Sequence, residues 1–166
     1  MPKAKAEPKA KRKPSAGSTE LFNRNFVRDL IFLAEIFNEQ LLEKNAVRGH
    51  KNMRMAFAPV LLHIARSGTR AIDIAEKTDL SKQAIGKTVR TLERMGYIHQ
   101  EVSVQDGRNK YLKFTPKGVK LVEDTSAGVE EIVADLEQLI GERKTRELVN
   151  IVALLVDKLN KIETET

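Results

Sequence analysis

The side chains best suited to chemistry in this sequence are basic, amide and hydroxyl groups gathered between Leu80 and Pro116. They fall on a predicted helix and on a predicted turn between two strands: Ser81, Lys82, Gln83, Gly86, Lys87, Arg90 and Arg94, then Asp106, Gly107, Arg108, Asn109 and Lys110. Residues 80–116 hold seven Lys/Arg and three acidic residues, a local net charge of +4. A basic helix followed by a basic hairpin is typical of a module that binds a nucleic-acid backbone.

Two short helices separated by a tight turn are predicted to position the first group. One covers residues 71–78 with Ile72 and Ala75 inward, Ser81 is a good N-cap for the next, and Gly96 ends it. The inward face of that second helix is lined by Ile85, Thr88, Val89 and Leu92. This is a helix-turn-helix, in which the N-terminal residues of the second helix enter the major groove of DNA.

The second group lies at the tip of a predicted hairpin. Apolar residues predict one strand over residues 97–104 and its partner over residues 111–114. Thr115 and Pro116 then predict a long helix, with threonine as N-cap and proline at the first helical position, where its missing N–H has no cost.

Apolar helices are predicted on both sides of this region. One helix covers residues 21–44, and another covers about 53–65, where Pro59 leaves the boundary open. After the hairpin, helices cover residues 116–140 and, beyond a glycine, 142–161. The first and last helices are apolar over much of their circumference, which a surface helix of a monomer does not tolerate. The sequence therefore predicts a homodimer assembled through the two ends of the chain.

Composition limits the remaining classes. The 166 residues carry a net charge of +6, but residues 1–17 hold six basic residues and one acidic residue, so this tail supplies +5. The tail is predicted to be disordered, either simply solvated or serving as a basic arm on phosphates, and residues 18–166 are predicted to form a single domain. The absence of cysteine excludes disulfides, thiolate metal sites and thiol redox sensing. With no membrane-length apolar run and no signal peptide, the sequence predicts a cytoplasmic protein without a membrane partner.

The order of these parts resembles the MarR family of bacterial winged-helix regulators. The most specific segment is AIDIAEKTDLSKQAIGKTVRTLERMGYIHQEVSVQDGRNKYLKFTPKG, with D-x-R at residues 106–108 and T-P-K-G at residues 115–118. The resemblance implies a mainly α fold with a small β-wing, in which a winged helix-turn-helix lobe at about 53–115 joins dimerisation helices at about 20–45 and 116–161. It also implies a homodimer that binds a pseudo-palindromic operator in double-stranded DNA, usually as a repressor and often released by a small aromatic ligand.

The family pattern also implies which residues contact DNA. The residues expected to face the major groove are Ser81, Lys82, Gln83, Gly86, Lys87 and Arg90. Arg108 is expected to enter the adjacent minor groove with Asp106 fixing its guanidinium, and Lys110 completes the set. Gly86 lowers helix stability by about 1 kcal/mol relative to alanine. The expected compensation for this cost is a close approach of DNA to the helix backbone. Arg94 suits a backbone contact and an intramolecular ion pair equally well.

Other uses stay open at this point. One alternative is an architectural or weakly specific DNA-binding protein that uses the basic tail, and another is a winged helix used for protein interaction. Phe26, Leu30, Met53 and Phe57 are candidates to line a ligand pocket, with ordinary core or interface packing as the alternative. The three histidines lack metal-ligand spacing, and His63 is predicted to be a core or interface residue. No nucleophile and base are proposed by any motif, so no metal, cofactor or enzymatic activity is predicted.

Overall fold

The computed structural model describes residues 25–78, 80–102 and 110–164, with side chains described as far as Ile162. Within these residues the chain forms six α-helices, a 3-10 turn and one two-stranded antiparallel sheet, which confirms the predicted mainly α fold. The elements are α1 (Phe26–Val47), the 3-10 turn (Met55–Phe57), α2 (Ala58–Leu61), α3 (Ala71–Thr78), α4 (Lys82–Arg94), β1 (Ile98–Val102), β2 (Lys110–Phe114), α5 (Pro116–Ile140) and α6 (Glu142–Thr164). The predicted tail, the start of the first predicted helix and the hairpin tip with Asp106 and Arg108 lie outside the described residues. None of the described helices combines the length and apolarity needed to span a bilayer.

The chain divides into two compact units, one ending at Ile36 and the other beginning at Phe37. In the first unit, the described residues form the beginning of α1 and expose their apolar side chains, among them Phe26 at 59% and Leu30 at 48%. In the second unit, α1 continues to Val47, three residues beyond its predicted end. There the buried amide of Asn45 donates to Oγ1 of Thr125 on α5 at 3.1 Å, which fixes the end of α1 on that helix.

The helix predicted over residues 53–65 is shorter than expected, so that prediction was wrong at both ends. Pro59 lies in the first turn of α2, where a missing N–H is tolerated. The helix ends at Leu61 because the imidazole Nδ1 of His63 donates to the carbonyl oxygen of Pro59 at 2.8 Å. The amide of His63 bonds instead to Val60, at 3.2 Å. The side chain therefore caps the carbonyl that a longer helix would have used.

Helices α3 and α4 and the sheet share one apolar core. Its fully buried side chains include Val60, Ile74, Ile85, Leu92, Ile98 and Leu112. α3 has its predicted bounds, but Ile72 was wrongly predicted to point inward and is 39% exposed. Ile74, which lies about 200° further around the helix, is fully buried instead, and Ala75 is buried as predicted.

The two strands pair antiparallel, with Ile98 opposite Phe114 and Val102 opposite Lys110. A third segment extends the sheet, because Thr69 and Leu112 exchange two backbone hydrogen bonds of 3.1 and 2.8 Å. Strand β2 is therefore hydrogen-bonded on one side to β1 and on the other to the loop before α3.

The last two helices begin where the sequence predicts. Thr115 caps α5 by accepting from the amide of Gly118 at 3.1 Å, Pro116 occupies the first turn, and Gly141 ends the helix with a φ of +86°. α6 continues three residues beyond its predicted end to Thr164. Leu148 is half-buried, whereas eight other large apolar side chains are between 45% and 61% exposed, and they are Val149, Ile151, Val152, Leu154, Leu155, Val156, Leu159 and Ile162.

Candidate nucleic-acid interface

Helix α4 has one buried face and one polar face. Ile85, Val89 and Leu92 are at most 4% exposed and fix the helix in the core. Ser81 caps it as predicted, because its hydroxyl oxygen accepts from the amide of Ala84 at 3.1 Å. The exposed side chains on the other side are Lys82, Gln83, Lys87, Arg90 and Arg94. The predicted polar set of α4 therefore lies at the surface with a rigid apolar support behind it.

The basic side chains of α4 form no ion pair with a carboxylate in the described part of the chain. Among the described residues, no acid lies within ion-pair distance of Lys82, Lys87, Arg90 or Arg94, whereas pairs occur at Lys44–Glu131, Arg48–Glu131, Arg70–Asp73, Lys113–Glu101 and Lys120–Asp124. For Arg94, two uses were predicted: a contact with the DNA backbone or an intramolecular ion pair. No such ion pair occurs among the described residues, so the DNA contact stays a prediction. A row of unpaired cations on one helix face produces a positive field suited to an anionic partner.

Gly86 lies within this polar face, and no packing contact with the described residues requires a glycine there. A Cβ at that position would meet only Nη1 of Arg90, at 3.4 Å, which is an ordinary contact distance. The helical backbone at Gly86 is therefore accessible to an external partner, and the prediction of a close approach at this point stays open.

The T-P-K-G motif joins the end of α4 to the start of α5. Gly96 leaves α4 with a φ of +76°, and its carbonyl oxygen accepts from the hydroxyl of Thr115 at 2.6 Å. The ammonium of Lys117 donates to the carbonyl of Met95 at 2.8 Å and lies 4.4 Å from the centre of the Tyr97 ring. A Cβ at Gly118 would lie 2.0 Å from the carbonyl oxygen of Tyr97, so glycine is required there by close packing.

The hairpin is bound to α4 through polar side chains. Gln100 on β1 donates to both carboxylate oxygens of Glu93 at 3.0 Å. Across the sheet, Glu101 and Lys113 form an ion pair of 2.8 Å, and the hydrogen bond from Lys113 lowers the pKa of the Glu101 carboxyl. Lys110 is exposed at the start of β2, next to the tip that the structure does not describe.

A buried polar cluster beside α4 was missed by the sequence reasoning. His50, which is 5% exposed, has Nδ1 3.0 Å from the hydroxyl of Tyr97 and Nε2 3.1 Å from Oδ2 of Asp124. A hydrogen bond from Lys120, opposed by burial and assisted by His50, lowers the pKa of Asp124, while burial raises the pKa of Tyr97. The only sequence signal was the break in helical pattern around His50. In the described part of the chain, no group of acidic or histidine side chains is arranged to hold a metal ion.

A cleft of about 770 Å³ separates the 3-10 turn and α2 from α4. Its lining includes apolar Phe57, Pro59 and Met95 together with basic Arg54, Lys87 and Arg94. Of the predicted pocket residues, Phe57 lines this cleft and also belongs to the core, whereas Met53 packs against the core. Phe26 and Leu30 lie in the first unit, where both are exposed.

Known proteins share both the sequence pattern and the fold. Residues 58–109 match the model of the MarR family. The YusO protein from Bacillus subtilis is 21% identical with a TM-score of 0.62, over 87% of this chain and 99% of that one. A MarR transcriptional regulator from Methanosarcina mazei is 19% identical with a TM-score of 0.65, over 82% and 97%.

A DNA complex is also among the similar structures. MepR of S. aureus, crystallised with DNA, is 21% identical with a TM-score of 0.58, over 80% of this chain and 96% of that one. No curated protein sequence matches the chain. At these identities the similar structures establish the fold, and the match at residues 58–109 confirms the resemblance to the MarR family.

Proposed function

The chain carries the winged helix of the MarR family, and from that premise we propose that it is a transcriptional regulator that binds DNA sequence-specifically as a homodimer. The observation that carries the proposal is the polar face of α4, where four cations lack a carboxylate partner among the described residues. Phosphates would supply the missing counter-charge, and Gln83 with Lys87, one helical turn apart, can reach base edges in the major groove. In this proposal residues 18–166 act as one MarR-like domain and residues 1–17 as a basic arm.

The proposed contacts include residues beyond α4. Ser81 and the free amides at the start of α4 suit a phosphate, and Gly86 permits close approach of the DNA backbone. At the wing, Arg108 would enter the minor groove with Asp106 as its support, and Lys110 would add a phosphate contact. Repression from a pseudo-palindromic operator is the mode that we propose, with no enzymatic step.

Selection of bound sequences from a random DNA pool tests this proposal. Enrichment of a palindrome with half-sites about one helical turn apart, roughly 10 bp, is expected of a dimeric helix-turn-helix protein. Anisotropy titrations with the enriched and with random DNA should then show a salt-dependent preference for the enriched site. Binding without enrichment would favour the architectural alternative, and no binding at low salt would favour a protein-interaction module.

The homodimer is supported by the apolar surface of α6. Eight large apolar side chains between Val149 and Ile162 are roughly half exposed in the single chain, and exposed apolar patches of this kind mark interaction surfaces. The beginning of α1 separately exposes further apolar side chains, such as Phe26 and Ile31. A second copy of the chain would cover these helices.

Substitution of Leu155 by aspartate is expected to weaken dimerisation about tenfold or more, because a carboxylate would be buried in an apolar contact. Sedimentation equilibrium should give twice the mass of one chain for the wild type and a concentration-dependent monomer for Leu155→Asp. Leu62→Asp is the matched control, since Leu62 is 80% exposed and lies outside the terminal helices. Equal masses for the wild type and Leu155→Asp would contradict the assignment of α6.

The cleft beside α4 supports release from DNA by a small organic anion. Its volume of about 770 Å³ is within the usual range of ligand sites, and it combines apolar lining with three basic side chains. Lys87 contributes both to this cleft and to the polar face of α4. An anion in the cleft would therefore neutralise a charge that DNA also needs.

Benzoate at millimolar concentration is expected to release the protein from its selected DNA, as measured by anisotropy at constant ionic strength. Benzamide has the same ring without the charge and should leave the complex intact. Release by both compounds, or by neither, would contradict an anion site in the cleft.

A further inference from the structure

We propose that the buried hydrogen-bond chain Tyr97–His50–Asp124 fixes the angle between α4 and α5 and thereby sets the half-site spacing that the dimer accepts. The inference rests on the proposed dimeric regulator and assigns positioning residues that do not themselves contact DNA. The three side chains come from the turn between α4 and β1, the loop after α1 and the third turn of α5.

When His50 is neutral, every contact of this hydrogen-bond chain has one donor and one acceptor. With its proton on Nε2, His50 donates to the carboxylate of Asp124 over 3.1 Å, while Nδ1 accepts from the hydroxyl of Tyr97 over 3.0 Å. The second carboxylate oxygen of Asp124 accepts from Lys120 at 2.7 Å. All three residues are at most 8% exposed, and no described buried side-chain polar atom lacks a partner. A satisfied buried polar network of this kind specifies one geometry, because hydrogen bonds are directional whereas apolar contacts can repack.

The two ends of the hydrogen-bond chain, Tyr97 and Asp124, are attached to α4 and α5, the two helices that the proposed function uses. The amide of Tyr97 donates to the carbonyl of Leu92 at 3.0 Å, so the backbone of Tyr97 is attached to the last turn of α4. Asp124 lies on α5, whose first turn is already bound to the same tyrosine through Thr115 at 3.0 Å. His50 thus adds a second attachment between α4 and α5, about two helical turns from the first.

The length of α5 makes this second attachment important. Its 25 residues extend about 37 Å at 1.5 Å per residue. A rotation of about 5° at its base would displace its far end by roughly 3 Å, close to the 3.4 Å rise of one base pair. If dimer contacts fix the far ends of the two α5 helices, the same rotation instead moves the two α4 helices along the DNA. The angle between α4 and α5 must therefore be rigid if the dimer is to distinguish half-site spacings.

Tyr97→Phe tests the inference because it removes only the hydroxyl. The full-length protein is titrated against the selected operator and against operators whose half-sites are one base pair closer or further apart. The ratio of affinities between correct and altered spacing is expected to fall roughly two- to tenfold in the variant, the value of one net hydrogen bond. Affinity for a single half-site should stay unchanged. Tyr111→Phe, at the only other tyrosine, should keep the wild-type ratio.

Asp124→Leu, of similar size, removes the acceptor of His50 at the other end of the hydrogen-bond chain and provides a second measurement. It should lower the spacing ratio to a similar extent, and the double variant should lose no more than either single variant, since one chain is broken in each case. A wild-type ratio in Tyr97→Phe would overturn the inference, as would an equal loss of affinity at every spacing and at a single half-site. Absence of DNA binding by the wild-type protein would instead overturn the proposed function.

Discussion

Replacing Gly118 with alanine is expected to lower the free energy of unfolding by about 2–3 kcal/mol, the cost of overpacking a tight contact. An added Cβ would lie 2.0 Å from the carbonyl oxygen of Tyr97 and 2.8 Å from Cδ1 of Phe114. The Tyr97 oxygen belongs to the backbone and cannot rotate away, so α5 must shift relative to the end of α4. The better helix propensity of alanine, about 1 kcal/mol, offsets only part of this cost.

Gly86→Ala is the matched control, because it is the same substitution inside another helix of the same chain. At that position the new Cβ meets only a flexible guanidinium at 3.4 Å, so the variant should gain up to about 1 kcal/mol in the free energy of unfolding. Chemical denaturation, monitored by circular dichroism, measures the free energy of unfolding of both variants. Loss of stability in both variants, or in neither, would contradict the close approach at Gly118. A more stable Gly86→Ala protein that binds DNA less tightly would support contact between DNA and the α4 backbone.

Local chemistry explains which elements could be predicted from the sequence. The start of α5 follows from Thr115 and Pro116, and its end follows from Gly141, because each residue type satisfies a backbone need at that position. The start of α4 follows from Ser81 for the same reason. The exposure of the basic side chains of α4 also follows, since the helical period separates them from Ile85, Val89 and Leu92.

The features that could not be predicted depend on contacts between distant parts of the chain. The early end of α2 results from a side-chain hydrogen bond of His63 that competes with the helix, and helical periodicity alone does not reveal it. The polar cluster joins His50 to Asp124 across 74 positions of sequence. The T-P-K-G motif was recognised by resemblance, whereas its physical role, the packing of Gly118 against Tyr97, required the structure. The contacts of Asp106 and Arg108 stay predictions, because both lie outside the described residues.

Lys87→Glu is expected to weaken binding of the selected operator about 100-fold. Lys87 is exposed on α4 and has no carboxylate partner among the described residues, so its charge is available to DNA. Loss of one contact of this type costs about 1–3 kcal/mol, and a proposed dimer places two copies on each operator. Every 1.4 kcal/mol corresponds to a tenfold change in affinity. The fold should be unaffected, because substitutions of exposed side chains change stability by about 0.5 kcal/mol or less.

Lys144→Glu makes the same change of charge at a position where we expect no DNA. Lys144 is exposed in the first turn of α6, which follows the far end of α5, a helix about 37 Å long at 1.5 Å per residue. At a physiological Debye length of roughly 8 Å its charge is screened from a partner bound at α4. If both variants bound the operator equally well, α4 would not be the DNA-reading helix. If Lys87→Glu weakened specific and random DNA alike and reduced the salt dependence, Lys87 would contact phosphate, whereas a loss confined to the operator would assign it to a base.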